Sequence, residues 1–521
     1  MLIRNGTIID GTKKERYKAD VRIEADKIQE IGSLEVRKGE QVIDAKNQFV
    51  TPGFVDIINR SDIHFSIFNP SRLRSLIRQG ITTIVGGNCG ASLAPLAGSE
   101  AIKSIQKWHD PSGVNLNWAR TGEFLDEVER HNLSVNFATL TGHATLRRGI
   151  VGDSFEKLSD EAMKKMEYLL EQSLEEGAFG FSTGLAYSHE KVASAEEIER
   201  FVKVLKQKGG IYTTHLRDEG ADLVSSVKEV TTLAKTIEIP CHISHFKALG
   251  KAAWSEFQPA LEIIEKTKES GALVSFDVYP YTQTSTVLYL LLPDWVTRGG
   301  KAELLKRIRD AEARRRVSHE LQGKGEEISS IIIARGDLDP TFFGKTIFDI
   351  AKKREVSVIE VLLDVIIASN DRVIGFMPVL DARNVELGIK SGAGIVASDG
   401  AGYQISNRRD GILVHPRSFG AFPRFLAKYT RKDNILSWEE AIWKITALPA
   451  EIVGLKDRGK IAKGYYADMV VFHPDEIQDK ATFKDPFQYS QGISHVLVNG
   501  GIAFKKEKFQ KGRYGRVLRK K

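Results

Sequence analysis

The segment Ala195–Lys208, AEEIERFVKVLKQK, runs through Gly209-Gly210 into Ile211-Tyr212-Thr213-Thr214-His215. Its apolar residues Ile198, Phe201, Val202 and Leu205 recur at helical spacing among Glu and Lys, the pattern of an amphipathic helix. The glycine pair stops that helix. The β-branched run after it reads as a short buried strand that ends on a polar residue. A helix handing over to such a strand is half of a parallel-sheet repeat, because parallel neighbours need a crossover connection.

The alternation extends in both directions. Strand-like runs occur at Phe54–Ile57, Ile81–Val85, Val135–Leu140, Phe179–Ser182, His242–Ser244, Leu273–Phe276 and Gly394–Ser398. Asp160–Glu176 is a further helical stretch between two of them. With Ile211–Thr214 this makes eight units, which fit an α/β fold of the closed (β/α)8 TIM-barrel type. An open, doubly wound sheet fits the same pattern. Two β-branched runs, Ile328–Ile333 and Arg372–Phe376, are surplus to eight. The charged, helix-forming stretch from about 294 to 344 reads as an insertion between barrel units, placed to act as a lid. Both ends of the chain carry short strands closed by turn residues, such as Leu2–Gly11, Ala467–Phe472 and His495–Gly500. They predict a small composite β-sandwich built from residues 1–50 and 458–521, beside a barrel spanning 51–457.

The chain of 521 residues has a formal net charge of +7 and two cysteines, Cys89 and Cys241. Two cysteines exclude a disulfide framework and point to a reducing, cytoplasmic location. No apolar run approaches membrane-spanning length, and Met1–Gly6 has no signal-peptide pattern. Much of the positive charge lies in a tail from Lys505 to Lys521. Without any nucleic-acid-binding motif beside it, the tail reads as a solvated end. A basic balance also suits a small anionic substrate.

Catalytic groups of a barrel sit at the C-terminal ends of its strands. Ile81–Val85 leads to Cys89, Ile211–Thr214 to His215, His242–Ser244 to His245, and Ile395–Ser398 to Asp399. Cys and His are zinc's preferred ligands, and three protein ligands leave one position open for water, whose pKa the metal lowers. A carboxylate beside such a site can accept the water's proton. Each residue alone has an ordinary reading. Cys89 can be a small buried residue, either His a hydrogen-bonded strand end, and Asp399-Gly400 a turn. His242, His109, His131, His189, His319, His473 and His495 have no comparable placement and read as structural or surface residues.

A longer series of motifs resembles the N-acyl-D-amino-acid deacylases of the amidohydrolase superfamily. The series runs through Pro52–Asp56, Gly80–Thr83, Gly87-Asn88-Cys89-Gly90 and Leu93–Leu96. It continues with Gly142–Arg147, Gly180–Tyr187, Thr214–Glu219, Ser244–Gly250, Asp277–Tyr281, Ser398–Gly400, His415–Arg417 and Gly464–Asp468. The resemblance implies a zinc site made by Cys89, His215 and His245, Asp399 as the catalytic carboxylate, and hydrolysis of the linear amide of an N-acyl-D-amino acid. It places Lys247, Tyr187, Tyr281 and Arg417 in motifs that line the substrate pocket. It leaves His143 either to polarise the scissile carbonyl or to support the barrel.

One departure stands out. Where the family carries a His-x-His pair after the first barrel strand, this chain has Ile58 and Arg60. His64, four residues on, is out of register. The departure leaves one zinc per chain as the expectation, in a working hydrolase or, as the alternative, in a non-catalytic binding protein on the same scaffold. Arg60 then supplies positive charge where a second metal would sit, for a substrate carboxylate or an oxyanion.

Overall fold

The computed structural model describes residues 1–106, 108, 111 and 114–521; His109 lies outside the described residues. Each of the eight barrel runs forms a strand. We label them β1 (Phe54–Asp56), β2 (Ile81–Gly86), β3 (Asn136–Thr139, resumed at Thr141–Gly142) and β4 (Gly180–Gly184). β5 (Ile211–His215), β6 (Cys241–Ile243), β7 (Val274–Val278) and β8 (Gly394–Val396) complete the set. All neighbouring pairs are parallel, β1–β2–β3 in one run and Thr141–Gly142 through β4 to β8 in another. The runs join where Phe179 N–H donates to Thr139 O at 2.9 Å. The ring closes at an Asn59–Gly400 bridge, with Arg60 N–H donating to Gly400 O at 2.7 Å. The Asp56 carboxylate reinforces that seam by accepting from Ser398 N–H at 2.8 Å.

Local chemistry explains the repeat. The helix Ala195–Lys208 is capped by the Ser194 hydroxyl, which accepts from Glu197 N–H. Glu196 and Glu197 sit in its first turn and Lys206 and Lys208 in its last, matching the helix dipole. Ile198, Phe201, Val202 and Leu205 are buried against the sheet, each contributing roughly 1.5–3 kcal/mol of burial. Inside the ring, Val55, Ile57, Ile58, Val85, Ala138 and Ile395 belong to one packed cluster, so the barrel has a filled core.

A seven-stranded sheet combines segments from both ends, in the order 508–509, 501–505, 493–498, 469–472, 49–52, 7–8, 17–18. A four-stranded sheet from residues 2–44 shares a core with it through Ile3, Val21, Ile43, Val50, Met469 and Leu497.

The insertion differs from its expected form. It is helical only to Ser329 and then becomes the strand Ile332–Arg335. This strand and Thr284–Val287 flank Ile374–Met377 in a small antiparallel sheet. The surplus β-branched runs therefore supply strands outside the barrel. The tail also departs from the solvated end expected. Gly515 N–H donates to Leu133 O, Leu518 N–H to Phe137 O and Lys520 N–H to Gly177 O. Among the described residues no helix is long and apolar enough to cross a membrane.

Candidate active site

Four strand ends converge. The ligand atoms of Cys89, His215 and His245 all lie within 4.8 Å of one another. Cys89 Sγ is 3.3 Å and His215 Nδ1 3.0 Å from His245 Nε2. Three of the four end residues, Cys89 (φ 53°), His245 (φ 40°) and Asp399 (φ 47°), have left-handed backbones. Such backbones cost of order 1–3 kcal/mol each and concentrate at functional sites. Here they turn each side chain in over the barrel mouth. The loop bearing Cys89 requires its glycines. A Cβ on Gly87 would lie 2.1 Å from Leu140 O, and one on Gly90 2.0 Å from Glu190 Oε1.

The donor set fits zinc. Tetrahedral Zn–N bonds of about 2.05 Å and a Zn–S bond of about 2.3 Å would space the ligand atoms about 3.3 and 3.5 Å apart, close to the separations observed. Burial holds both imidazoles neutral, the form that ligates metal: His215 well below the ordinary range, and His245 at about 3 with Lys247 adding to the effect. Behind them the Glu219 carboxylate lies 3.3 Å from His245 Nδ1 and 3.6 Å from His215 Nε2. Such outer carboxylates orient histidine ligands. Glu219 stands four residues after His215 and closes the motif Thr214–Glu219, which gave it no role of its own.

Asp399 is gripped from both sides. Arg60 Nε donates to Oδ1 at 2.8 Å and Arg417 Nη2 to Oδ2 at 2.8 Å. Burial opposes the ionised carboxylate, but Arg417 and then Arg60 outweigh it and hold its pKa well below the usual range. Arg60 also reaches Cys89 Sγ at 3.0 Å with Nη2 and Asn88 O at 3.4 Å with Nη1. Its guanidinium is thus directed at the protein rather than at substrate, and it fills the space between Cys89 and Asp399. Ile58 packs in the barrel core.

A cavity that opens to solvent lies over these groups. Arg60, Tyr187, His215, His245, Lys247, Asp399 and Arg417 all face it. Tyr187 lies with its ring 5.0 Å from that of His215. Lys247 Nζ contacts the Glu219 carboxylate, His245 Nδ1 at 2.9 Å and His245 O at 3.2 Å. Its polar contacts are with the histidine support, while the side chain also lines the cavity. Arg417 stacks 4.7 Å over Tyr279, and its buried Nη1 has no hydrogen-bond partner among the described residues.

Besides Cys89, two expected residues fall outside the cavity wall. Tyr281 packs against His415 at 5.1 Å, behind the cavity. His143 is fully buried between Glu190, at 3.0 Å from Nδ1, and Glu197, at 2.8 Å from Nε2, and Glu197 also takes Arg147 at 2.9 Å. Glu190 in turn accepts from Gly184 N–H at 3.0 Å. Of the two roles left open for His143, this geometry supports the barrel. His242 lies between Ser275 and Asp277, and Asp277 also accepts from His245 N–H at 2.9 Å. Sequence reasoning missed most of the outer wall: Thr284, Ser285, Arg335, Phe376 and Tyr403 line it together with His415 of the Arg417 motif. These come from loops and from the small antiparallel sheet.

Residues 41–307 and 406–504 match the model of the amidohydrolase family. The chain is 31% identical over 518 residues to the D-aminoacylase of Alcaligenes xylosoxydans xylosoxydans, covering 99% of this chain and 97% of the relative. It superposes with a TM-score of 0.84 and 30% identity on the N-acyl-D-glutamate deacylase of Bordetella bronchiseptica, crystallised with zinc and a phosphonate mimic of the tetrahedral intermediate. That match covers 100% of this chain and 99% of the other. A D-aminoacylase whose binuclear centre shows one-metal activation and second-metal attenuation superposes equally well, at 0.84 and 30% identity over 100% of this chain and 99% of that one. With the family model and full-length relatives in agreement, the chain is an enzyme of the amidohydrolase family, in the branch of the N-acyl-D-amino-acid deacylases.

Proposed function

We propose that the protein hydrolyses the linear amide of N-acyl-D-amino acids, using one zinc held by Cys89, His215 and His245 and the Asp399 carboxylate to move the proton. The convergence of three ligand side chains, two of them in the wall of the cavity that the ionised Asp399 also lines, carries this reading. Zinc, when bound, polarises the amide carbonyl and makes a water nucleophilic at neutral pH. Asp399, ionised, accepts the proton of the attacking water and returns it to the departing amine.

Arg417 gives the substrate a way to activate that base. Its Nη1 is unpartnered while Nη2 holds Asp399. A substrate carboxylate drawn to this guanidinium competes with Asp399 for its charge. Weakening the pair raises the basicity of Asp399 when substrate is present. Tyr187, beside His215, lines the same cavity.

The count of one zinc rests on Arg60. A second ion drawing on Cys89 or Asp399 would have to displace a guanidinium that already holds both. The test combines metal analysis with turnover of paired N-acetyl-D- and N-acetyl-L-amino acids. We expect about one zinc per chain and D-selective release of amine. Cys89→Ala or His215→Ala should lose the metal. Asp399→Asn should keep it and lose at least about 10²-fold in kcat, the lower range for a positioned acid–base group. Full activity in Asp399→Asn, or selectivity for the L series, would overturn the reading.

A further inference from the structure

The cavity wall carries four cations, Arg60, Lys247, Arg335 and Arg417, against two carboxylates, Glu219 and Asp399. Lys247 is matched by Glu219. Arg60 and Arg417 share Asp399, which leaves one positive charge near the metal ligands. A single substrate carboxylate at Arg417 accounts for that one. Arg335 remains. Among the described residues it has no carboxylate within ion-pair distance, and its Nη2 is 3.2 Å from the His64 ring. A neutral imidazole can accept a hydrogen bond from the guanidinium but cannot neutralise it.

The local backbone aims this residue at the cavity. Arg335 ends the strand Ile332–Arg335, and the pairing with Ile374–Met377 shifts register between Ile333 and Arg335. A bulge of this kind redirects a side chain, and bulges gather beside active sites. Arg335 and its partner Ile374 both face the cavity. A half-buried guanidinium without a counter-charge, pointed into a ligand cavity, is completed by a bound anion.

We propose that Arg335, positioned by His64, forms a second anion subsite that selects N-acyl amino acids bearing a carboxylate besides the α-carboxylate. This inference rests on the hydrolytic reading above and adds the substrate class. The additional carboxylate can come from the amino-acid side chain or from the acyl group, and the two sources are separable. The probes are N-acetyl-D-glutamate, N-succinyl-D-leucine and N-acetyl-D-leucine, tested on zinc-loaded wild type and on Arg335→Gln.

The wild type should prefer one of the dicarboxylates over N-acetyl-D-leucine, and which one identifies the source. Arg335→Gln should shrink that preference by about 10- to 100-fold in kcat/KM, mainly through KM, the scale of one charge-assisted hydrogen-bond pair. A wild type that prefers N-acetyl-D-leucine, or a preference unchanged in Arg335→Gln, would overturn the subsite and leave the hydrolytic reading standing. Absence of turnover on all three probes would overturn the hydrolytic reading instead. Calorimetric binding of the same ligands then judges the subsite: weaker binding of the dicarboxylate to Arg335→Gln supports it, and equal binding to both proteins overturns it.

Discussion

At the scale of single residues, two buried ionic arrangements carry different consequences. Arg60 is a fixed cation between a thiol and a carboxylate. In Arg60→Gln the Cys89 thiol loses this cation and Asp399 keeps only Arg417, while the barrel core around Ile58 is untouched. Zinc content at saturating metal should then rise above one per chain, read by elemental analysis, whereas the wild type stays near one. An unchanged count in Arg60→Gln would show that the guanidinium does not exclude the ion. His143 answers to pH instead. Burial disfavours its charged form, but Glu190 and Glu197 outweigh burial and raise its pKa above 6.5. Because the folded value exceeds the unfolded one, the stabilisation is complete below about pH 6.5 and fades as pH rises through the raised value. Removing one partner of such a buried cluster costs about 3–5 kcal/mol. His143→Ala should therefore lower Tm, and the gap to wild type should narrow as pH climbs from about 6 to 9. A gap that is constant across that range, measured by scanning calorimetry, would show that the imidazole folds uncharged.

At the scale of elements, the barrel could be read directly from the chain and the roof of the site could not. A buried parallel strand must be apolar and β-branched, and its crossover helix must be amphipathic, so runs such as Ile81–Val85 and Ala195–Lys208 declare themselves by composition and period. The strand ends then locate Cys89, His215, His245 and Asp399, because only the C-terminal face of a barrel hosts the site. The left-handed backbones that bring three of these together leave no such signal, since Cys, His and Asp are not turn glycines. Ile328–Ile333 and Arg372–Phe376 were visible as β-branched runs, but nothing local shows that they pair with each other and that the second also pairs with Thr284–Val287. That pairing is non-local, and it sets Arg335 against the cavity. The same gap explains Tyr281. A motif places a residue near a site, but packing decides whether its polar end faces the ligand or the scaffold.

At the scale of the whole molecule, the last residues tie the base of the barrel to its surroundings. Val517 bridges Phe137, and Phe137 N–H donates to Arg516 O at 2.9 Å. Leu518 packs on the barrel-core cluster that includes Phe179 and Ile211. Arg516 reaches Asp26 and Arg519 reaches Asp126, so the segment touches both the terminal sheets and the barrel helices. Those ion pairs are exposed and contribute little. The backbone bonds matter more: Gly515, Leu518 and Lys520 donate to barrel carbonyls, and Arg516 accepts from Phe137. At a net 0.5–1.5 kcal/mol each, four such bonds contribute roughly 2–6 kcal/mol. Unfolding entropy near 2 cal/mol/K per residue gives a chain of this length about 1 kcal/mol per degree. Ending the chain after Arg513 should therefore lower Tm by about 2–6 °C. The site lies at the other end of the strands, so zinc content at 25 °C should stay near one. A truncated protein with an unchanged Tm would return these residues to the role of a solvated basic end. Loss of zinc together with the fall in Tm would show that the base and the mouth of the barrel unfold as one unit.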